Sequence, residues 1–320
     1  MTPVFRLLAN SRDITTVIRN RLLSLTVSDR AGLHTDTVEI RVDDREGPIE
    51  LPNKGVELDV SLGYKEQGLV QMGLYTVDEI ELSGPPDTLI IRARAANMRS
   101  ALKEHKTRAW DQTTLGNLVN TIAAEHELEP RVGEFLGAIN IPHLDQTEES
   151  DLHLLTRLAK QYDAVTKPAG GFLLFVPRGA TGKAIPAVTI NRDQTSDHRV
   201  TMADRGKYPA VRAHWHNTAT GTRTPVQVGE GKPVYTLRHN YSDADTARSA
   251  AQGKLHALSR GLATASLTLR HGNPLLAAEA RLTLSGFRTG ADGDWVATQV
   301  DHQLSDSGYS TRVEAETPKS

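Results

Sequence analysis

His143–Lys160, HLDQTEESDLHLLTRLAK, lies between two regions of β pattern, and its reading sets the organisation of the chain. Glu148, Glu149 and Asp151 crowd the point where a helix would begin, complementing the partial positive charge of a helix N-terminus. Asp145 or Thr147 is placed to cap it, a side-chain oxygen accepting from a free backbone N–H. Leu152, Leu155, Leu158 and Tyr162 then recur every three or four residues and define one apolar face. Arg157 and Lys160 sit towards the end, where cations are favoured. The stretch reads as a docking helix.

Upstream the pattern is β. Leu23, Leu25 and Val27 alternate with Ser24 and Thr26, and Val38, Ile40 and Val42 alternate with Glu39 and Arg41, which predicts a long hairpin with one buried face. Pro48 and Pro52 punctuate, and Val56, Leu58, Val60 and Leu62 alternate up to Gly63-Tyr64. Leu74–Leu82 and Leu89–Ala95 follow, separated by the turn signal Gly84-Pro85-Pro86. Short, evenly spaced alternating strands with almost no helix predict a small barrel or sandwich.

The register changes near residue 98. Thr113 or Thr114 can cap a helix whose apolar face is Leu115, Leu118, Val119 and Ile122, and GGFLLFV (Gly170–Val176) reads as a strand behind the opening helix. Past Pro186 the chain turns β-rich again, with Val211–Trp215 and Val234–Arg238 as strands. A helix over Ser242–Arg260 follows, with Ser242 and Asp245 spaced like a capping box and Gly261 as its stop. Its Ala-rich interior predicts close packing. Strands resume at Ala265–Leu269, Leu282–Phe287, Trp295–Leu304 and Thr311–Ala315.

The order strand, Gly-aromatic, loop, long strand, turn, strand occurs twice, around Gly63-Tyr64 and around Gly286-Phe287. The alternation before the two glycines is out of phase by one residue, so the echo is one of pattern, not a strict repeat. The fold class is mainly β with an α+β insertion. It comprises a first small β-barrel domain over 1–98, an α+β module over 99–182, and a second β-barrel domain over 183–320 with an inserted helix at 242–260.

The chain's 320 residues suffice for two or three domains with proper cores. With 37 Lys+Arg against 39 Asp+Glu the net charge is −2, without the basic excess that duplex binding demands. Cysteine is absent, which excludes disulfides, thiolate metal sites and cysteine nucleophiles. Arg6 breaks the first apolar run, so no signal-peptide core is present, and no window approaches a transmembrane length. These features predict a soluble protein made in the cytoplasm.

No catalytic or cofactor constellation emerges. His214-Trp215-His216 puts two imidazoles on one strand face, but no third zinc ligand can be assigned, and two histidines flanking a packed Trp is the simpler reading. Asp292-Gly293-Asp294 lacks the later ligands of a calcium loop and reads as a hairpin turn. Gly229-Glu230-Gly231-Lys232 lacks the upstream Gly of a phosphate loop and carries Pro233 at the hydroxyl position. Carboxylate pairs mean little among 39 acids. The one local charge excess is Arg92, Arg94, Arg99, Lys103, Lys106 and Arg108 against Glu104 alone. It reads as a solvated face, with an acidic partner or a passing nucleic acid as the alternative.

Taken together, Leu22–Asp44, LPNKGVELDVSLGY (Leu51–Tyr64), MGLYTVDEIELSGPP (Met72–Pro86), His143–Ala164, YPAVRAHW (Tyr208–Trp215), the Ala-rich helix and Gly293–Glu316 run in an order that resembles the late control gene D family. That family belongs to contractile-tailed phages and phage-tail-like, R-type bacteriocins, and is similar to the hub part of type VI secretion spike proteins. The resemblance implies a baseplate hub: a homotrimer of two related β-barrel domains and an α+β module per chain. Its implied partners are the tail tube protein, the spike protein and the tape-measure protein, with DNA only passing through the channel. It implies a place in a virion or tail-like particle, a needle carried by a separate polypeptide, no cofactor, no metal and no enzymatic turnover.

On that reading the residues of interest are structural. His143, Asp145, Gln146, Ser150 and Asp151 would fix the start of the central helix and its loop. Trp295 and His302 would build the second barrel, and Arg92 and Arg94 would line the channel or meet an acidic tube surface. The rival readings are a tail-associated peptidoglycan hydrolase and a DNA-binding late-gene regulator.

Overall fold

Alternating apolar residues form the strands of the N-terminal part: β1 (Pro3–Ala9), β2 (Arg12–Asp13), β3 (Leu22–Arg30), β4 (Thr37–Asp43), β5 (Glu57–Tyr64), β6 (Gly68–Ser83) and β7 (Thr88–Ala95), with a short helix α1 (Thr15–Arg19) after β2. The computed structural model describes residues 1–31, 36–45, 47, 49–95, 102, 104–169, 172–178, 187–202, 208–217, 220–259 and 263–318. The expected boundaries near 98 and 182, together with Pro48, Arg99, Lys103, Gly170, Pro186, Arg260 and Gly261, lie outside these residues. Inward-facing Leu7, Leu25, Val27, Ile40, Val60, Leu62, Tyr75 and Leu89 meet in one core, so the sheet curls around its own apolar face.

The middle comprises β8 (His105–Thr114), α2 (Leu115–Glu125), β9 (Glu129–Val132), α3 (Glu134–Gly137), β10 (Asn140–Ser150), α4 (Asp151–Tyr162), β11 (Ala164–Ala169) and β12 (Phe172–Pro177). Leu115, Leu118, Val119 and Ile122 of α2 pack on Leu154, Leu155 and Leu158 of α4 and on Leu173 and Phe175 of β12. Thr114 caps α2, its Oγ1 accepting from the backbone N–H of Asn117.

The central helix begins later than the sequence pattern implies. Residues 140–150 form β10, paired with β8, and α4 starts at Asp151 with Ser150 as its cap, Oγ accepting from the N–H of His153 at 3.2 Å. Asp145 and Thr147 therefore lie in a strand. Of the three acids only Asp151 occupies the first turn, and Glu148 takes up a left-handed backbone at a bulge in the ladder. Pairing with β8, a long-range partner invisible to local spacing, outweighs the capping preference. Leu154 and Leu155 are fully buried while Leu152 is only half-buried, so the apolar face is rotated from the expected one.

The C-terminal part holds β13 (Val188–Asn191), β14 (Thr195–Met202), β15 (Ala210–Asn217), β16 (Thr222–Gly229), β17 (Val234–Tyr241), α5 (Ala244–Ser259), β18 (Ala263–Leu269), β19 (Arg281–Ser285), β20 (Gly293–Ser305) and β21 (Gly308–Glu316). Asp243, not Ser242, caps α5: its Oδ1 accepts from the N–H of Thr246 at 2.8 Å. Ala247 and Ala251 are fully buried against the β15–β17 sheet. Gly253 passes so near α4 that a Cβ there would stand 2.5 Å from the carbonyl oxygen of Gln161. Because the obstacle is backbone, Gly253→Leu is expected to destabilise the fold by about 3 kcal/mol, read as a lowered Tm, with Gly253→Ala milder.

The sheet order β3-β4-β7-β6-β5-β1 recurs as β14-β18-β21-β20-β19-β13, strand for strand in chain order. Even the irregularities match. Asp78 in β6 and Thr298 in β20 are extra residues opposite β7 and β21, and Leu23 in β3 and Ser196 in β14 are extra residues opposite β4 and β18. Leu58 faces Tyr75 as Leu282 faces Trp295. One pairing differs, since β1 is antiparallel to β5 whereas β13 is parallel to β19. The sheet β15–β17 and helix α5 are inserted between β14 and β18, where the first repeat has only the β3–β4 connection.

The two repeats share one continuous sheet. Beyond its pairing with β19, β20 continues along β3 in antiparallel register, Gln299 opposite Arg30 through Ser305 opposite Ser24. Leu304 and Tyr309, at the tip of the β20–β21 hairpin, lie in the core of the first repeat.

Candidate assembly site

Three polar clusters hold the parts of the chain in register.

The first surrounds Asp151. Lys106, Arg108 and Trp110 alternate along β8 and point to one face. Gln146 comes from β10, Glu125 and His126 from the end of α2, and Asp151 from the start of α4. Asp151 is fully buried and accepts from Lys106 Nζ at 2.6 Å, an Arg108 guanidinium N–H at 2.7 Å, Gln146 Nε2 at 2.8 Å and His126 Nε2 at 2.9 Å. Glu125 also accepts from Lys106 and Arg108, at 2.8 and 2.5 Å. Gln146 Oε1 accepts from Arg108 and from the Trp110 indole, over whose ring the guanidinium stacks at 4.3 Å. Burial alone would raise the Asp151 pKa, but hydrogen bonds from Lys106, Gln146 and His126 and the charge of Arg108 outweigh it and bring it down to about 2.

Glu125, His126 and Asp151 are also the one set, among the described residues, close enough to share a metal ion. Lys106 and Arg108 already neutralise both carboxylates, so the set does not fit a dication without expelling them. The cluster locks two helices to the antiparallel β8–β10 pair.

The second cluster sits where three parts of the chain meet. Lys167 of β11 donates to Asp29 of β3 and to Asp36 just before β4, each at 2.7 Å. The other oxygen of Asp29 accepts from the backbone N–H of Ala278, which belongs to the second repeat, at 2.8 Å. Burial and the neighbouring Asp29 raise the Asp36 pKa to about 6 against the opposing pull of Lys167. Lys167 itself is held above the ordinary lysine value because the two carboxylates outweigh its desolvation.

The third lies under the β3–β20 seam. His302 is buried and its pKa lowered by burial, so the ring is neutral. Nε2–H donates to the carbonyl of Leu276 at 3.1 Å, leaving Nδ1 to accept from Tyr309 Oη at 2.9 Å and Thr311 Oγ1 at 3.1 Å. Tyr309 in turn packs on Tyr64, ring centroids 5.5 Å apart. Trp295 fills the core of the second repeat, its indole N–H donating to the carbonyl of Ala291 at 2.9 Å.

The remaining residues singled out by sequence are placed as follows. His143 is exposed beside Asp111 and Asp145, whose hydrogen bonds raise its pKa, Asp111 most strongly. Arg92 is bound by Glu39, Glu79 and Glu81, and Arg94 by Asp78, so both cations are paired within the sheet. His214 Nδ1 lies 3.1 Å from Arg223, and burial together with Arg223 and Arg212 lowers its pKa. Asp292 accepts from the N–H of Phe287 and Asp294 from the hydroxyl of Thr283, both holding turns.

The structure thus brings Gln146, Ser150 and Asp151 together and leaves His143 and Asp145 outside the cluster. Lys106 and Arg108, read from sequence as a solvated face, are its cations. Glu125, His126, Asp29, Asp36 and Lys167 carry no local signal. The period-two spacing of Lys106, Arg108 and Trp110 is the one clue that could have placed the first set on a common strand face.

The family model described as phage tail baseplate hub (GPD) matches residues 66–308. A probable baseplate hub protein of Escherichia phage 186 is 36% identical, the alignment covering 99% of this chain and 93% of that protein. Among solved structures, the 43 kDa tail protein of prophage MuSo2 from Shewanella oneidensis superposes with a TM-score of 0.73 at 13% identity, covering 98% of each chain. An E. coli component of the type VI secretion system shares the fold at a TM-score of 0.54 and 13% identity, over 94% of this chain and 74% of that one.

Proposed function

Because this chain belongs to the phage tail baseplate hub family, we propose that it joins the six-fold tail tube to the three-fold spike and nucleates assembly of the tube. The family is structural, so the chain acts as a component of the tail baseplate and not as an enzyme. The observation that carries the finer reading is the repeated six-strand ladder with its matched bulges. A homotrimer with two like units per chain offers six similar surfaces to a tube ring and three to a spike. Its partners on this reading are the tube protein, the spike protein and the tape-measure protein, with DNA or its absence depending on whether the particle is a phage or an R-type bacteriocin. The peptidoglycan-hydrolase and late-gene-regulator readings draw no support from the family.

Deleting the gene in its native cluster, inducing, and imaging the lysate by electron microscopy tests this. The expected result is loss of assembled tails while the other late proteins are still made. Complete tails that fail to penetrate, or loss of late proteins altogether, would overturn it.

A further inference from the structure

We propose that the outer face of the inserted β15–β17 sheet is a docking surface for an acidic segment of another protein, bound once per chain. The surface stands on the insert's own residues. Only the expectation that the partner is a second tail component rests on the hub reading above.

The two faces of this sheet differ in kind. Val211, Ala213 and Trp215 of β15 pack with Ala247 and Ala251 of α5, as do Val226 and Val228 of β16. Tyr235, Leu237 and Tyr241 of β17 join them. Alternation turns the residues in between to the opposite face. There lie Arg212, His214 and His216 of β15, with Arg223 of β16 directly opposite His216. Arg238 follows Leu237 and stands between Thr236, which faces Arg212, and Asn240, which faces His214. The three arginines and His216 are exposed. None of the three strands contains an Asp or Glu. In a chain with 39 acids against 37 Lys and Arg, an acid-free sheet carrying three arginines is a local cationic surface. Glu230, in the turn after β16, is offset by Lys232.

The guanidinium groups are held in place without being neutralised. Arg212 donates to Gln227 Oε1 at 3.0 Å, and Arg223 donates to His214 Nδ1 at 3.1 Å. Burial, with Arg223 and Arg212 beside it, lowers the His214 pKa, which keeps Nδ1 free to accept at neutral pH. Among the described residues no carboxylate pairs with Arg212, Arg223 or Arg238. Arg92, Arg94, Arg108 and Lys167, by contrast, are each bound by acids of their own chain. Oriented guanidinium forks whose charge is uncompensated match the paired oxygens of a carboxylate or a phosphate.

Protein carboxylates fit this face better than nucleic acid. Trp215, Tyr235 and Tyr241 are turned into the packing with α5, so the face presents no ring on which a base could stack. The chain also lacks the basic excess that phosphate binding draws on. The sheet spans roughly 25 by 10 Å, room for one extended segment or one helix. Its placement adds a reason for such a contact. The insert fills a connection that the first repeat closes directly from β3 to β4, so this surface occurs once where the surrounding ladder occurs twice. A partner that reads it tells the two like units of a chain apart.

The test titrates the full-length chain with fluorescein-labelled decaglutamate at physiological ionic strength and reads fluorescence anisotropy. The expected result is saturable binding of one peptide per chain, weakened roughly tenfold or more by the triple reversal Arg212→Glu, Arg223→Glu, Arg238→Glu. A matched reversal at three exposed cations of the first repeat, Arg12→Glu, Arg19→Glu, Lys54→Glu, should leave binding nearly unchanged. The outer face takes no part in the packing against α5, so the Tm of the triple variant should hold. Should it fall, the neutral pair Arg223→Gln, Arg238→Gln takes its place, with a loss of about threefold expected. Equal weakening by both reversals, binding that does not saturate, or tighter binding of decathymidylate would each overturn the proposal. In the native cluster, the triple variant is expected to be made at normal levels and to yield few complete tails. Complete tails at wild-type numbers would remove this docking role and leave the hub reading, which the deletion tests, standing.

Discussion

Asp151→Ala is expected to destabilise the chain by roughly 3–5 kcal/mol, the range for removing one partner of a buried ion pair. The substitution does more than delete one contact. Lys106 and Arg108 lose their buried acceptor and keep Glu125, with Gln146 Oε1 still accepting from Arg108, while His126 and Gln146 are left with donors facing a void. Unsatisfied buried donors carry their full desolvation cost. Asp151→Asn should recover part of the loss by keeping the shape and accepting fewer bonds. Chemical unfolding at neutral pH measures both.

The pH dependence gives this prediction its signature. Asp151 has its folded pKa depressed to about 2, against the ordinary 3.8. Its contribution is therefore fully present above about pH 4 and is lost as pH falls through 2. The gap in stability between wild type and Asp151→Ala should narrow across that window and stay constant from pH 5 to 8. A gap that is already closed at pH 5 would show that the carboxylate is not held by the cations around it.

Lys167→Met is the second large effect, with the opposite sign in pH. It leaves Asp29 and Asp36 side by side without their cation at the meeting point of both repeats and the central module. Since Lys167 and Asp36 are about one sixth exposed, the cost at pH 8 should fall below the fully buried range, at about 2–3 kcal/mol. Asp36 has a folded pKa raised to about 6, so the stability tied to its protonated form is complete below about pH 4 and is lost as pH rises through 6. Removing Lys167 pushes that pKa further up. The destabilisation should be small near pH 4 and grow to its full size by pH 7 to 8, as read from Tm against pH. Adding Asp36→Asn to Lys167→Met should remove most of the pH dependence, because the raised carboxyl is gone.

The seam shows why part of this architecture is legible in the amino-acid order and part is not. The strands of both repeats follow from alternation, since Leu25, Val27, Ile40, Leu282 and Val300 each bury one face and leave the other polar. The helix α2 follows from its spacing and its Thr114 cap. By contrast β8 and β10 are mostly polar, and beside the packing of Trp110, Ile141 and Leu144 they are held because Lys106, Arg108 and Gln146 find Asp151 behind them. A charge row reads as a solvated surface until its partners are located, and those partners lie 43 or more residues away for both cations of Asp151. The same holds for Lys167, whose acids are more than 130 residues upstream.

The repeat was likewise visible as an echo around Gly63 and Gly286, one residue out of phase. The ladders resolve the mismatch: Leu58 and Leu282 are equivalent, and β19 ends at Ser285, earlier relative to its glycine than β5. By itself, the sequence determined the alternating strands of the two repeats, the helices that hold Leu115–Ile122 and the Ala-rich run, and that a β pattern occurs twice, because these depend on periodicities within a few residues. Only the tertiary structure decided that the two repeats share one sheet through β3 and β20, that α4 begins at Asp151, and that the basic row turns inward. Each of those outcomes depends on hydrogen-bond and charge partners brought together by long-range folding, and no local spacing encodes them.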